Sequence, residues 1–328
     1  LERERRRALP RPLRLARLAL LLAIAAATFV VSSGALRHAP APAIEAALRV
    51  VPDLVAPLSS PASLLADELT HSDAAFGVLE PALPTPRILS TDRAGSAIAR
   101  ISYPSQALGW RDSFLAYLPP GYARSTARRY PVIYLLHGDK QGAASFLHLG
   151  LEGTLDRLIA RRAIPPMIAV MLEANGLPNN WRNSAGPRYE AYVSEVVSVA
   201  GRVLRAIPDR AARAIAGYSM GGFGAMNVAL SHLRTFSVVE SWEGFFNNLS
   251  PQLTADRPLL RRLPLHAFVY GGASDQIADP GENAPWAASL RSAGADAHSA
   301  IYPGGHTFGP LERHLSQMLS FAGRELRS

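Results

Sequence analysis

The 328-residue chain contains no cysteine. Disulfides, zinc-thiolate centres and cysteine nucleophiles are therefore excluded, and stability must come from the core, which a chain of this length can build. Lysine is almost absent: Lys140 is the single example, and every other basic side chain is arginine. The nine histidines show no H-E-x-x-H or other ligand spacing, so no metal is expected. No G-x-G-x-x-G follows a strand-like run, and no Walker sequence occurs, so no cofactor is expected either. The net charge of +8 is uneven. Residues 1–17 hold seven arginines and two glutamates, which leaves 27 basic against 24 acidic side chains elsewhere. That balance gives no reason to expect a nucleic-acid partner.

What the sequence does have begins with an apolar run. Residues 18–31 (LALLLAIAAATFVV) follow the arginine-rich start and lack any polar face. Basic flank, apolar stretch and small residues predict an export signal, with cleavage near Ser33-Gly34-Ala35 or Ala39-Pro40-Ala41. The alternative is an uncleaved anchor over residues 18–36, attached to the membrane with the arginines inside. Residues 1–36 are thus read as signal or anchor, and the protein as extracytoplasmic. Residues 37–90 are rich in alanine and proline, and read as a linker or extension. The catalytic domain is expected over 91–328.

Within that domain, strand-like and helix-like segments alternate. Buried strands are predicted at 132–136 (VIYLL) and 167–172, and others at 97–103, 113–118, 236–240, 266–270 and 297–302. Helices are predicted at 151–162, 189–206, 223–231, 285–293 and 311–326. This alternation predicts an α/β fold with a mostly parallel central sheet covered by helices on both faces.

The chain is organised around Gly217-Tyr218-Ser219-Met220-Gly221-Gly222. A strand-like run at 212–216 precedes it and a helix follows, which is the context required of a G-x-S-x-G nucleophile elbow. The turn lifts the Ser219 hydroxyl above the sheet, and side chains at 217 and 221 would collide with the strand and helix. A serine needs a base, and the base needs an acid to orient it. In the α/β-hydrolase fold the order is serine, acid, histidine. His306 follows the last strand in a glycine turn and is assigned as base; His298 and His314 sit at a strand start and inside a helix. Asp275, after the 266–270 strand, is the leading acid, with Asp279 and Glu282 of the same loop as alternatives. The oxyanion donors would be the backbone amides of Met220 and Asp139. His137, Lys140, Trp181 and Trp242 are candidates for the substrate pocket, His137 chiefly as a residue that fixes its loop, and the two tryptophans equally as core or as rim of the cleft.

Three stretches carry a family resemblance: residues 103–109 (YPSQALG), residues 117–122 (YLPPGY) with residues 130–138 (YPVIYLLHG), and the elbow itself, residues 213–225 (RAIAGYSMGGFGA). Together they resemble the esterase family of α/β-hydrolases that includes S-formylglutathione hydrolase, enterochelin esterases, feruloyl esterases and mycolyltransferases. The resemblance spans about residues 95–325. It implies an α/β-hydrolase fold, Ser219 as nucleophile, His306 as base and an acid on the Asp275 loop. Three departures stand out: the expected export segment and the lack of cysteine, both unlike the cytosolic S-formylglutathione hydrolase (esterase D), and Asp139-Lys140 after His137-Gly138 in place of a more glycine-rich loop. The expected function is an exported serine esterase acting on a small-molecule, lipid or sugar ester. Alternatives are an acyltransferase using the same triad, and a non-catalytic cell-surface binding protein.

Overall fold

A computed structural model describes residues 83–174 and 179–327. The signal or anchor at 1–36 and nearly all of the 37–90 stretch lie outside the described residues. Among the described residues, one sheet holds β1 (Arg87–Thr91), β2 (Ala97–Pro104), β3 (Arg111–Leu118), β4 (Val132–Leu136), β5 (Ile168–Met171), β6 (Arg213–Tyr218), β7 (Val238–Trp242), β8 (His266–Gly272) and β9 (Asp296–Tyr302). Their spatial order is β1-β2-β3-β5-β4-β6-β7-β8-β9. The β1, β2, β3 and β5 neighbours pair antiparallel. From β5 to β9 every neighbouring pair is parallel.

The helices are α1 (Ser145–His148), α2 (Leu151–Ala160), α3 (Tyr189–Val203), α4 (Met220–Ser231), α5 (Ser250–Leu260), α6 (Asn283–Ala293) and α7 (Phe308–Glu325). They cover both faces of the sheet, which is why β4, β5 and β7 are buried at every position. Side chains on a strand alternate between faces. Val132, Tyr134 and Leu136 of β4 join a core with Val193 and Val196 of α3 and Phe223 and Met226 of α4. Ile133 and Leu135 join a second core with Leu151 and Leu155 of α2 and Leu315 and Met318 of α7. The strand–helix alternation therefore builds the expected α/β-hydrolase architecture.

Three elements were not expected: the single-turn α1, β1 and α5. β1 is exposed along its whole length and pairs only at the sheet edge, so no apolar pattern marks it. It also places sheet structure ahead of residue 91, inside the stretch read as linker. α5 carries Pro251 in its first turn and Pro258 inside, and buries only Leu253 and Leu260. A proline in the first turn is compatible with a helix, whereas an interior one usually argues against it. Among the described residues no helix is long and apolar enough to cross a membrane.

Candidate active site

Parallel strands bring their C-terminal ends to one edge of the sheet, and the loops that leave that edge carry the candidate residues. β6 ends at Tyr218, and α4 starts at Met220, two residues apart with Ser219 between them. A Cβ added at Gly217 would lie 2.3 Å from the Gly221 carbonyl oxygen. Ser219 is forced to φ 55°, ψ −122°, a conformation that non-glycine residues rarely adopt and that tight packing has to maintain. The Ser219 amide donates to the Trp242 carbonyl at 2.8 Å, which ties the turn to the end of β7.

Asp275 and His306 reach the serine from the loops after β8 and β9, beyond β7. The loops after β8 and β9 are laced together: the Ala273 amide donates to the Tyr302 carbonyl at 2.7 Å and the Ser274 amide to the Gly304 carbonyl at 2.8 Å. Asp275 Oδ2 accepts from His306 Nδ1 at 2.7 Å. That bond fixes the tautomer, leaving Nε2 as an acceptor for the Ser219 hydroxyl 2.8 Å away. Asp275 Oδ1 accepts from the amides of Ile277 and Ala278 at 2.8 and 2.9 Å. The carboxylate is thereby held by donors on both oxygens. Asp279 and Glu282 are not part of this array. Asp279 caps a short 3₁₀ turn by accepting from the Gly281 amide at 2.8 Å, and both side chains are exposed. His298 pairs with Asp296, and His314 stacks on Tyr302 with ring centroids 3.7 Å apart.

On the other side of the serine lies the loop after β4. Gly138 and Asp139 border the same cavity as Ser219, while Met220 opens α4. His137 is fully buried and does not line the cavity, which leaves the loop-fixing role. Its Nδ1 lies 2.7 Å from the Gly138 carbonyl, and its Nε2 accepts from the Ala174 amide at 3.0 Å. With Nε2 an acceptor, Nδ1 carries the proton and donates, so the ring clamps the loop. Glu173 completes the clamp, accepting from the Ala143 and Ala174 amides at 3.1 and 3.0 Å. Burial pushes its pKa up, but the hydrogen bonds from these amides oppose burial, and the carboxyl is held below the usual range.

For the two tryptophans the geometry selects the core alternative. Trp181 and Trp242 are fully buried and line no part of the cavity. Trp181 donates from Nε1 to the His137 carbonyl at 3.1 Å and packs against the backbone of α4 at Gly224. Trp242 donates from Nε1 to Glu240 at 3.2 Å. Trp242 belongs to the sheet as the last residue of β7, and the loop that carries Trp181 packs inward. Lys140 is exposed at φ 54° on the β4 loop and does not line the cavity.

The cavity above Ser219 measures 310 Å³ and is walled by Tyr218, Ile277, Phe308 and Leu311 on its apolar side. A larger cavity of 530 Å³ lies beyond the 275–283 loop, against Asp279, Glu282 and Trp286, and includes neither Ser219 nor His306. Its size does not make it the reaction site, because its serines, Ser250 and Ser289, have no histidine beside them in its lining and the elbow serine faces the smaller cavity. The residue missed from the sequence is Glu243, which lines the smaller cavity with its carboxylate 3.9 Å from His306 Nδ1. Glu243, Asp275 and His306 offer one ligand atom each within 4.8 Å of one another. His306 Nδ1 and Asp275 Oδ2 are already engaged with each other, which leaves little for a cation.

An elbow serine, a histidine and an acid in this order on a mostly parallel sheet define an α/β-hydrolase. The chain belongs to the family described as "Putative esterase", whose model matches residues 105–322. An endo-1,4-beta-xylanase/feruloyl esterase of Xylanibacter ruminicola is 27% identical over 237 residues, 67% of this chain and 30% of that protein. Esterase Rv1288 of Mycobacterium tuberculosis is 31% identical over 149 residues, 43% of this chain and 31% of that protein. The chain thus matches less than a third of the length of these curated relatives. A solved ferulic acid esterase superposes with a TM-score of 0.64 at 26% identity, over 70% of this chain and 99% of its own.

Proposed function

We propose that the protein is a serine carboxylic-ester hydrolase working through an acyl-enzyme. The observation that carries this reading is the unbroken relay from Ser219 Oγ to His306 Nε2 at 2.8 Å and from His306 Nδ1 to Asp275 Oδ2 at 2.7 Å. Ser219 Oγ attacks the ester carbonyl carbon while His306 Nε2 takes its proton. Asp275 holds the ring and stabilises the imidazolium. Charge developing on the carbonyl oxygen faces the backbone amides of Met220 and Asp139. As the tetrahedral intermediate collapses, the C–O bond to the alcohol breaks and His306 returns its proton to the leaving oxygen. Water, deprotonated by the same nitrogen, then attacks the acyl-enzyme and frees Ser219.

The apolar wall of Tyr218, Ile277, Phe308 and Leu311 fits a short or aryl acyl group, in line with the names of the feruloyl esterase relatives. Methyl ferulate and p-nitrophenyl butyrate are the substrates to assay. Ser219→Ala should abolish both activities with the fold intact, since only binding and the oxyanion site remain. Mass spectrometry should trap the acyl group on wild-type Ser219; a variant retaining half its activity would overturn the assignment. Transfer to an added sugar or alcohol, read from the products, separates an acyltransferase from a hydrolase. The apolar run 18–31 supports an extracytoplasmic location. Full-length protein in the cytosolic fraction, with residues 1–35 intact, would overturn it.

A further inference from the structure

Two carboxyl groups converge on the imidazole of His306, and the relay uses one. Asp275 Oδ2 holds Nδ1 at 2.7 Å. Glu243 Oε2 lies 3.9 Å from the same nitrogen, and the two arrive from different loops, after β8 and after β7. Glu243 is 3% exposed, and its other oxygen, Oε1, is buried with no hydrogen-bond partner among the described residues. Leaving a carboxyl oxygen buried and unpaired is costly, so a structure that keeps one has a use for it or relieves it with a ligand.

The backbone is committed to this placement. Glu243 adopts φ 49°, one residue past the end of β7, where an extended conformation would continue the strand. Its amide donates to the Tyr270 carbonyl at 2.7 Å, which holds the turn against β8. The turn delivers the carboxyl to the wall of the cavity that contains Ser219 and His306. The groups facing it are His306, Asp275 and, across the cavity, Asp139; among the described residues no arginine or lysine lines this cavity. Burial first, and the charge of Asp275 second, push the Glu243 carboxyl up to about 8. Two carboxyl groups sharing one site cannot both ionise easily, so beside an intact Asp275 this one stays neutral at pH 7.

Resting on the triad reading above, we propose that Glu243 is a second positioning acid for His306, facing Nδ1 alongside Asp275 and able to accept the hydrogen bond from Nδ1 when Asp275 is removed. Removing Asp275 leaves Nδ1 without its partner and removes a charge that opposes ionisation of Glu243. The carboxylate then needs to close only about 1 Å to reach hydrogen-bond distance.

The experiment is a mutant cycle on Asp275→Ala and Glu243→Gln. It is read by kcat and KM on p-nitrophenyl butyrate and by the rate at which a fluorophosphonate labels Ser219. Asp275→Ala should lose about 10²-fold in kcat, against about 10⁴-fold for Asp275→Asn, whose amide fills the space and favours the wrong tautomer. Glu243→Gln should cost about threefold alone and about 10²-fold in the Asp275→Ala background, with KM little changed in both. Gln is nearly isosteric with a neutral Glu, so the fold should hold; where Asp275→Ala fails to fold, Asp275→Ser takes its place. An equal effect of Glu243→Gln in both backgrounds overturns the proposal and leaves the triad reading intact. Full activity in Ser219→Ala overturns both.

Discussion

A Cβ placed on Gly221 would lie 1.9 Å from the carbonyl oxygen of Leu136, the last residue of β4. The contact is with backbone, so no side-chain rotation relieves it. The elbow, the first turn of α4 and the end of β4 are therefore locked at a separation that only glycine permits. Gly221→Ala should push α4 away from β4 and move Ser219 relative to His306. We expect loss of esterase activity together with a lower melting temperature, measured by turnover and circular dichroism. Wild-type melting with wild-type turnover would show that the close approach is not required.

The acid is separable from its neighbours by the same assay. Asp275 accepts from His306 at 2.7 Å, whereas Asp279 caps a turn and Glu282 is exposed at the second cavity. Asp275→Asn should lower kcat by about 10⁴-fold, while Asp279→Asn and Glu282→Gln stay within about twofold. A large loss at Glu282 with Asp275 silent would move the acid along the loop.

The relay was legible in the sequence because each member stands next to a strong local signal. Ser219 follows a buried strand and precedes a helix, and His306 and Asp275 follow strands of their own. Glu243 was not legible. It is one acidic residue after β7, and its approach to His306 depends on the pairing of β7 with β8 and on a left-handed turn that no residue type announces. Trp181 stays open between core and pocket in the sequence for a related reason. A loop tryptophan reads equally as core or as cleft lining, yet the loop at 179–181 folds under the His137 loop, with Trp181 edge-on to the His137 ring at 5.2 Å. β1 and α5 escaped because one has no buried face and the other carries an interior proline.

Gly201 offers a stabilising change away from the site. It lies in α3, and a Cβ there would meet nothing within 4 Å. Gly201→Ala should stabilise the protein by about 0.5–1 kcal/mol, through lower entropy of the unfolded chain and better helix propensity. Denaturant unfolding measures this, with turnover unchanged. A loss of stability would mean that α3 is more crowded there than its geometry indicates.

Glu243 should impose a pH dependence on stability. Its carboxyl is raised from 4.5 to about 8 in the folded protein, so the folded state binds the proton more tightly than the unfolded chain. The stability it contributes is full below about pH 4.5 and is lost as pH rises to about 8. Glu243→Gln keeps the shape of the neutral acid and cannot ionise. The variant should therefore gain melting temperature over wild type progressively from about pH 4.5 to 8, then level off. A difference that stays constant across this range would show that Glu243 is not held neutral.

Trp181 decides between a structural and a pocket role for the loop that follows β5. It is fully buried, donates to the His137 carbonyl at 3.1 Å, and crowds Gly224 of α4, where an added Cβ would lie 2.5 Å from the Trp181 Cβ. Its indole thus braces both the oxyanion loop and the helix that starts at the nucleophile. Removing it leaves a cavity that these backbones cannot easily fill. Trp181→Ala should cost about 3–5 kcal/mol of unfolding free energy, by loss of buried surface and packing. Activity should fall mainly through kcat, because the Asp139 amide would lose its fixed position while the apolar wall of Tyr218, Phe308 and Leu311 stays in place. Trp181→Phe, which keeps most of the volume but lacks the N–H, should recover stability more than kcat. A variant that raises KM with melting temperature unchanged would instead return Trp181 to the substrate pocket.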